Sequence, residues 1–392
     1  MKRITPHGRK GRFGVFVAGA LATALALAGC SAGGTSTAKI DPNAIIQAGI
    51  SYTLSGSFDP ILASGAVTQA ADWHIFEGLT ELDPVTRKPY AALAPKLPTK
   101  VNDTTYEVDI RDGAKFSNGT PVTVDDVLFS FERTLDSKQA GFFATFIEFI
   151  DKVTAVDSNT VRITTKYPFS LINERLAVVK IVPKGLVTAN ATEFGAKPVG
   201  TGPYKLISAV PNKAVVFEKN TNYNGTRPAL AAGMNWTLLN DSAARVTAMT
   251  AGTIQGMEDV PYIDAGSLAS KSKVSMEQSF GLLFMMFNTK VAPFDNPKVR
   301  QAFFYALDMD KIIKTGMLGN ATAATSFLPK THPNYHEAST VYTYNPTKAK
   351  ELLASAGVNG MDLTLLTTDT GWVKDVAPLI KEALDAIGVK TT

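Results

Sequence analysis

Residues 105–127 read TYEVDIRDGAKFSNGTPVTVDDV. Tyr106, Val108 and Ile110 alternate with Glu107, Asp109 and Arg111. A period of two predicts a strand with one buried face. Asp112-Gly113 and Asn118-Gly119 then mark turns on either side of Lys115-Phe116. Thr123 stands three residues before Asp126. In a capping box the hydroxyl and the carboxylate each satisfy an orphan amide of the first turn, so a helix is expected from here through Leu135. Strand, paired turns and capped helix within so short a stretch predict a chain that mixes both element types.

The pattern continues outward in both directions. Strands are expected over residues 45–54, closed by Ser55-Gly56-Ser57, and over 160–167, stopped by Pro168. Shorter ones are expected at 214–218, 236–239, 274–278 and 363–366, and another begins at 389–392. Residues 282–287 form a continuous apolar run, as a fully buried strand requires. A helix over 66–79 would turn Trp73 and Phe76 inward. Asp241 caps a helix to about Thr250. Asn296-Pro297 and Asn345-Pro346 each pair an N-cap with proline at the first helical position. The first opens a helix with Val299, Ala302, Phe303 and Ala306 on one face, and Gly357 ends the second. A last helix over 379–387 closes at Gly388. Helices alternating with strands, with hairpins among them, predict an α/β fold with mixed sheets.

The chain has 392 residues, enough for two or three domains. Its 39 basic against 35 acidic residues give +4. Lys2, Arg3, Arg9, Lys10 and Arg12 all fall in residues 1–29, which hold no acid, so the remainder has 34 bases against 35 acids. That balance argues against a nucleic-acid-binding body. After the basic stretch comes a 16-residue apolar run, FGVFVAGALATALALA, shorter than a spanning helix needs. Basic, apolar and small-residue parts in that order predict a secretory signal over residues 1–29. Leu27-Ala28-Gly29-Cys30 resembles the lipobox of bacterial lipoproteins, in which the cysteine carries a lipid. Cys30 is the single cysteine of the chain, which excludes an internal disulfide and a cysteine-based zinc site. Residues 30–39 are small and polar and read as a flexible tether. The expected location is extracytoplasmic, on the outer face of the cell membrane.

Catalytic machinery is not visible. His332 and His336 are four apart with Glu337 adjacent, but Pro333 lies between them, so a loop is expected rather than a zinc-binding helix face. Ser270-Lys-Ser-Lys273 and Lys314-Thr-Gly316 match fragments of serine acyl-enzyme motifs without their structural context. Gly200-Thr-Gly202 lacks the spacing and lysine of a phosphate loop. No cofactor and no metal are expected.

Several segments in order resemble one family, the extracellular solute-binding proteins of family 5, the peptide/nickel-type lipoproteins that feed ABC importers. They are Ser57-Phe58-Asp59-Pro60, Phe76-Glu77-Gly78-Leu79-Thr80, the 105–127 stretch, Pro198-Val199-Gly200-Thr201-Gly202-Pro203-Tyr204, Val299-Arg300-Gln301-Ala302, and Tyr344-Asn345-Pro346 through Ala356-Gly357. The resemblance implies a two-lobed periplasmic-binding-protein-like fold (type II) with an extra domain. Lobe I would take residues 40–62 and 195–285, the extra domain 63–194, and lobe II 286–392. It also implies further chain to complete lobe II, so the second lobe is expected to be incomplete.

By the same resemblance the loop after the first strand lines a ligand cleft through Leu54, Ser55, Gly56 and Phe58. Phe280, Gly281 and Leu282 face it where the chain enters the hinge, and Trp372 is placed to stack on ligand. The implied activity is non-enzymatic: a monomer captures a small solute, with peptide leading over nickel complexes, opines and oligosaccharides, and delivers it to an ABC permease and ATPase complex. Two other classes stay open on the sequence, an exported serine-type acyl-transfer or hydrolytic enzyme and a receptor that signals without transport.

Overall fold

A computed structural model describes residues 41–140, 143–368 and 370–392. The signal segment, Cys30 and the tether lie outside the described residues. In chain order the strands are β1 (Ile45–Ile50), β2 (Thr80–Leu82), β3 (Pro89–Ala91), β4 (Thr99–Asn102), β5 (Thr105–Asp109), β6 (Ile150–Ala155) and β7 (Thr160–Thr165). They continue with β8 (Tyr204–Val210), β9 (Ala214–Lys219), β10 (Gly233–Leu238), β11 (Gly256–Met257), β12 (Met361–Leu363) and β13 (Val389–Thr391).

The 105–127 stretch folds as its pattern demands. In β5, Tyr106 and Val108 are buried opposite Ile163 and Val161 of β7. Glu107 on the other face accepts from Arg162 Nη2 at 2.6 Å. Gly113 and Gly119 take φ of +67° and +88°, where a side chain would be strained, and Lys115 bridges back to Pro121 between the two turns. Both arms of the capping box form. Asp126 N–H donates to Thr123 Oγ1 at 3.3 Å, and Thr123 N–H donates to Asp126 Oδ2 at 2.9 Å. The helix they start, Val124–Leu135, packs Val127 and Phe131 onto the antiparallel sheet β4-β5-β7-β6.

A second, mixed sheet runs β11-β1-β10-β9-β8. Its β1 is parallel to both β10 and β11, while β9 is antiparallel to β10 and β8. The helix Ala66–Ile75 covers it, with Val67, Ala71 and Ile75 in a core shared with Tyr204, Phe217, Trp236 and Leu238. Residues joining the two sheets are held by buried charge. Arg133 Nη2 donates to Asp59 Oδ2 at 2.6 Å, and Arg111 donates to both oxygens of Glu77 at 3.2 and 3.0 Å. Lys180 pairs with Glu81. A third core gathers Val299, Ala302, Phe303 and Ala306 from the helix Pro297–Ala306 with Ala349, Leu353, Leu384 and Val389. Beside it β12 and β13 pair in parallel.

Several expectations need correction. The 66–79 helix stops at Ile75, and Trp73 is 60% exposed. The buried helical face runs through 67, 68, 71, 72 and 75, which leaves position 73 on the opposite side. Phe76 is buried, but as the residue after the helix. The 282–287 run is not a strand, and neither is 274–278. Leu283, Met285 and Phe287 pack on neighbouring cores, while Phe284 and Met286 are 63% and 83% exposed. An extended apolar segment becomes a strand only where another backbone accepts its hydrogen bonds, and among the described residues none pairs with it.

Candidate functional site

The carboxyl ends of β1, β10 and β11 lie side by side, because β1 runs parallel between the other two. In open α/β sheets such ends are where ligands bind. The next residues are Ser51-Tyr52 after β1, Leu239-Asn240 after β10 and Glu258-Asp259 after β11. Ser51 donates both its backbone N–H and its Oγ–H to Glu258 Oε1, at 3.0 and 3.1 Å. Tyr52 stands exposed beside them. Burial of part of its ring, with the Glu258 and Asp259 carboxylates, holds its phenol proton more tightly than usual.

Arg245 organises this rim from beneath. It belongs to the helix Ser242–Thr250, which starts where Asp241 Oδ1 accepts from Ala244 N–H at 2.8 Å. The Arg245 side chain is 1% exposed. Its Nη1 donates to Leu239 O at 2.7 Å and Asn240 O at 2.9 Å. Its Nη2 donates to Asp259 O and Oδ2, both at 3.0 Å. One guanidinium therefore ties the exit of β10 to the exit of β11. It also pairs with Asp259, while among the described residues the Glu258 side chain is held by Ser51 alone. Sequence reasoning missed Arg245, Glu258 and Tyr52. Arginine four residues past an N-cap reads as a solvent-facing helical residue, and only the sheet order reveals that three loops meet above it.

The residues expected to line a cleft separate into groups. Leu54, Ser55 and Gly56 lie on the same loop as Ser51 and Tyr52; Ser55 and Gly56 are exposed, and Leu54 is half-buried. Gly56 takes φ of +78°, which turns the chain back toward Ser64. Phe58 is drawn into the core beside Val67 and Ile75, its N–H donating to Gly195 O at 2.9 Å. Phe280 is 69% exposed and meets His332 edge-on at 5.4 Å. Gly281 is exposed and donates its N–H to Ser279 Oγ, and Leu282 is half-buried. Trp372 packs, half-buried, against the small cluster of Ile312, Met317 and Val376, which Tyr262 and Leu283 also contact. Tyr262, four residues after Glu258 in sequence, packs against the same cluster as Trp372.

Ser270 lies just past the helix Ala265–Ala269, its Oγ–H spent on Ser267 O at 2.7 Å. Among the described residues no three His, Cys, Asp or Glu side chains gather where they could hold a metal ion.

Residues 88–392 match the bacterial extracellular solute-binding proteins, family 5. The chain belongs to this family. The family-5 chain is 31% identical over 358 residues to the glutathione-binding protein GsiB of Pectobacterium atrosepticum, covering 89% of this chain and 68% of that one. Among solved structures it resembles the ABC transporter-associated periplasmic binding protein DppA from Helicobacter pylori, in complex with the peptide STSA. There the TM-score is 0.80 at 26% identity, over 89% of this chain and 73% of the other. It also resembles the PBP AgaA from A. tumefaciens R10 in complex with agropinic acid, with TM-score 0.79 at 29% identity, over 89% and 72%. The mixed-sheet α/β fold is thus that of periplasmic binding proteins. A family-5 protein is a solute-binding protein and not an enzyme, so the acyl-enzyme alternative falls.

Proposed function

We propose that this family-5 chain is the capturing component of an ABC importer for peptides or peptide-like solutes. The observation that carries the reading is the rim above β1, β10 and β11. There a preset carboxylate (Glu258), a hydroxyl (Ser51) and an exposed phenol (Tyr52) stand on strand ends fixed by a buried arginine. Directed polar groups on a rigid sheet, with aromatic surface nearby, are what a small polar solute needs. Leu54, Ser55 and Gly56 extend this wall, and Phe280, Leu282 and Trp372 supply apolar surface from the following part of the chain. Phe58 contributes by packing alone.

In this reading residues 40–62 and 195–285 form lobe I, 63–194 the extra domain, and 286–392 the opposing lobe. Solute contacts to both lobes favour the closed state, which the permease recognises. Cys30 carries the lipid that keeps the protein at the outer face of the membrane, and acyl chains contribute about 0.8 kcal/mol per buried methylene. The relatives' ligands name the first compounds to try: glutathione, the peptide STSA and agropinic acid.

A thermal-shift screen of these compounds tests the capture step. A solute at one hundred times its Kd stabilises by about 2.7 kcal/mol. Tyr52→Ala should remove most of the shift caused by the best solute while leaving the midpoint of the free protein nearly unchanged. A best solute whose shift survives Tyr52→Ala intact would place capture elsewhere. Transport is tested separately, by uptake of that solute in cells with and without the gene, and Cys30→Ala should move the protein from the membrane to the soluble fraction.

A further inference from the structure

The antiparallel sheet β4-β5-β7-β6 carries a cavity of its own, on a different sheet from the rim. Its volume is about 300 Å³, and Phe146, Glu148, Phe149, Tyr167, Phe169 and Arg175 line it. The sequence supplies these walls from three places. Phe146 lies in the short helix Ala144–Ile147 before β6, Phe149 immediately precedes β6, and Tyr167 and Phe169 follow β7. Phe149 and Phe169 stack at 3.8 Å with 16° between their planes, and Tyr167 meets Phe169 edge-on at 6.4 Å. Tyr167 is exposed, so one aromatic wall faces the solvent.

Arg175 also lines the cavity. It sits at the end of the helix Ile172–Arg175, half-buried, with its guanidinium carbon 5.4 Å from the centre of the Phe146 ring. Its charge is treated differently from that of comparable arginines. Arg111, Arg133, Arg162, Arg227 and Arg245 each hold a carboxylate: Glu77, Asp59, Glu107, Asp83 and Asp259. Among the described residues no carboxylate pairs with Arg175, and its side-chain N–H groups make no hydrogen bond. A planar cation fixed on a ring, with its donors unused and facing an aromatic cavity, is a receptor for a planar anion.

We propose that this cavity binds a small aryl monocarboxylate. The ring lies against Phe149, Phe169 and Tyr167, where face and edge contacts are favourable. The carboxylate accepts two N–H bonds from Arg175. Glu148 lines the same cavity and repels a second negative charge, which restricts the class to monoanions. The volume is at the small end of ligand sites and suits one ring with a short acid arm. The proposal does not rest on solute capture at the rim, so either can fail without the other.

Phenylacetate is the probe, followed by calorimetry and saturation-transfer NMR on the full chain. Its Kd is expected near about 1 mM or below, with phenylacetamide and acetate each at least about tenfold weaker. Arg175→Gln should weaken binding at least about tenfold. Arg87→Gln, which removes the same charge from an exposed turn, should change nothing. Tyr167→Ala, at an exposed position, gives a second reading should Arg175→Gln disturb folding, and it should weaken phenylacetate more than acetate. The class has two sources, a free acid and the C-terminal phenylalanine of a peptide. Gly-Gly-Gly-Phe beside phenylacetate separates them: binding of both through Arg175 assigns an open site, and binding of phenylacetate alone assigns a site for free acids. No saturable phenylacetate signal at about 10 mM, equal binding of phenylacetamide, or wild-type affinity in both Arg175→Gln and Tyr167→Ala would overturn the proposal.

Discussion

Between β5 and β7 each inward side chain has a partner across the ladder, Tyr106 with Ile163 and Val108 with Val161. The run 282–287 is more apolar than either strand, yet no backbone hydrogen bond joins it to a neighbour among the described residues. In both segments exposure alternates along the chain. In β5 the second face carries Glu107 and Asp109, which suit water and salt bridges. In 282–287 the second face carries Phe284 and Met286, which do not. Apolar content thus measures how much burial a segment could use. Whether it becomes a strand depends on a partner backbone, and sequence-local patterns are silent on that.

The largest expected effect breaks the better-built side of this comparison. Asp59 is fully buried and holds Arg133, which is itself nearly so. Asp59→Ala leaves a guanidinium buried without its carboxylate and should cost about 3–5 kcal/mol in urea unfolding. A loss under about 1 kcal/mol would show that the junction between the two sheets does not depend on this pair. A matched pair of truncations then sharpens the contrast. Ile163→Ala empties a position with no exposure and should cost about 2–5 kcal/mol. Phe284→Ala removes a larger side chain from an exposed position and should stay within about 0.5 kcal/mol of wild type. Similar losses would mean that Phe284 is covered in solution.

Local chemistry was legible where a motif closes on itself. The Thr123–Asp126 capping box forms in both directions, and Asn296, Asn345 and Asp241 each cap the helix expected of them. The 105–111 alternation and the β9 and β10 segments needed no long-range information beyond a buried face. The rim did need it. Glu258 and Ser51 are 207 residues apart and meet only because β1 inserts between β10 and β11. Family resemblance named Leu54–Gly56, on the loop that also carries Ser51 and Tyr52, and named Phe58, whose aromatic side chain the fold buries in the core. Trp73 failed for the opposite reason: a wide apolar stretch disguised which helical face turned inward.

The smallest effect concerns two titrating groups on the helix Ala66–Ile75. His74 is surrounded by Tyr204, Phe217 and Trp236, with ring centroids 5.4–6.1 Å away, and burial pushes its pKa down to about 4. Asp72 is buried with its Oδ1 unpartnered, and burial raises its pKa well above the usual value, with Lys180 opposing and Asp59 adding to the rise. The two shifts act on stability with opposite signs. Between pH 6.5 and 4 the unfolded chain protonates His74 more readily than the folded chain does, so its contribution is complete above 6.5 and is lost as pH falls. For Asp72 the folded chain holds the proton more tightly. Its contribution is complete below 3.8 and is lost as pH rises through the folded pKa. Asp72→Asn removes the buried charge and should stabilise the protein at pH 7 by roughly 1 kcal/mol. It also removes the only one of the two groups that favours the folded state on acidification. Midpoints measured at pH 7, 5.5 and 4.5 should therefore fall more steeply in Asp72→Asn than in wild type, with the variant's advantage shrinking toward pH 4.5. A variant less stable than wild type at pH 7 would mean that Asp72 is ionised and well paired in the fold, and that the carboxylate belongs with the ion pairs of Asp59 and Glu77 instead of with the aromatic core around His74.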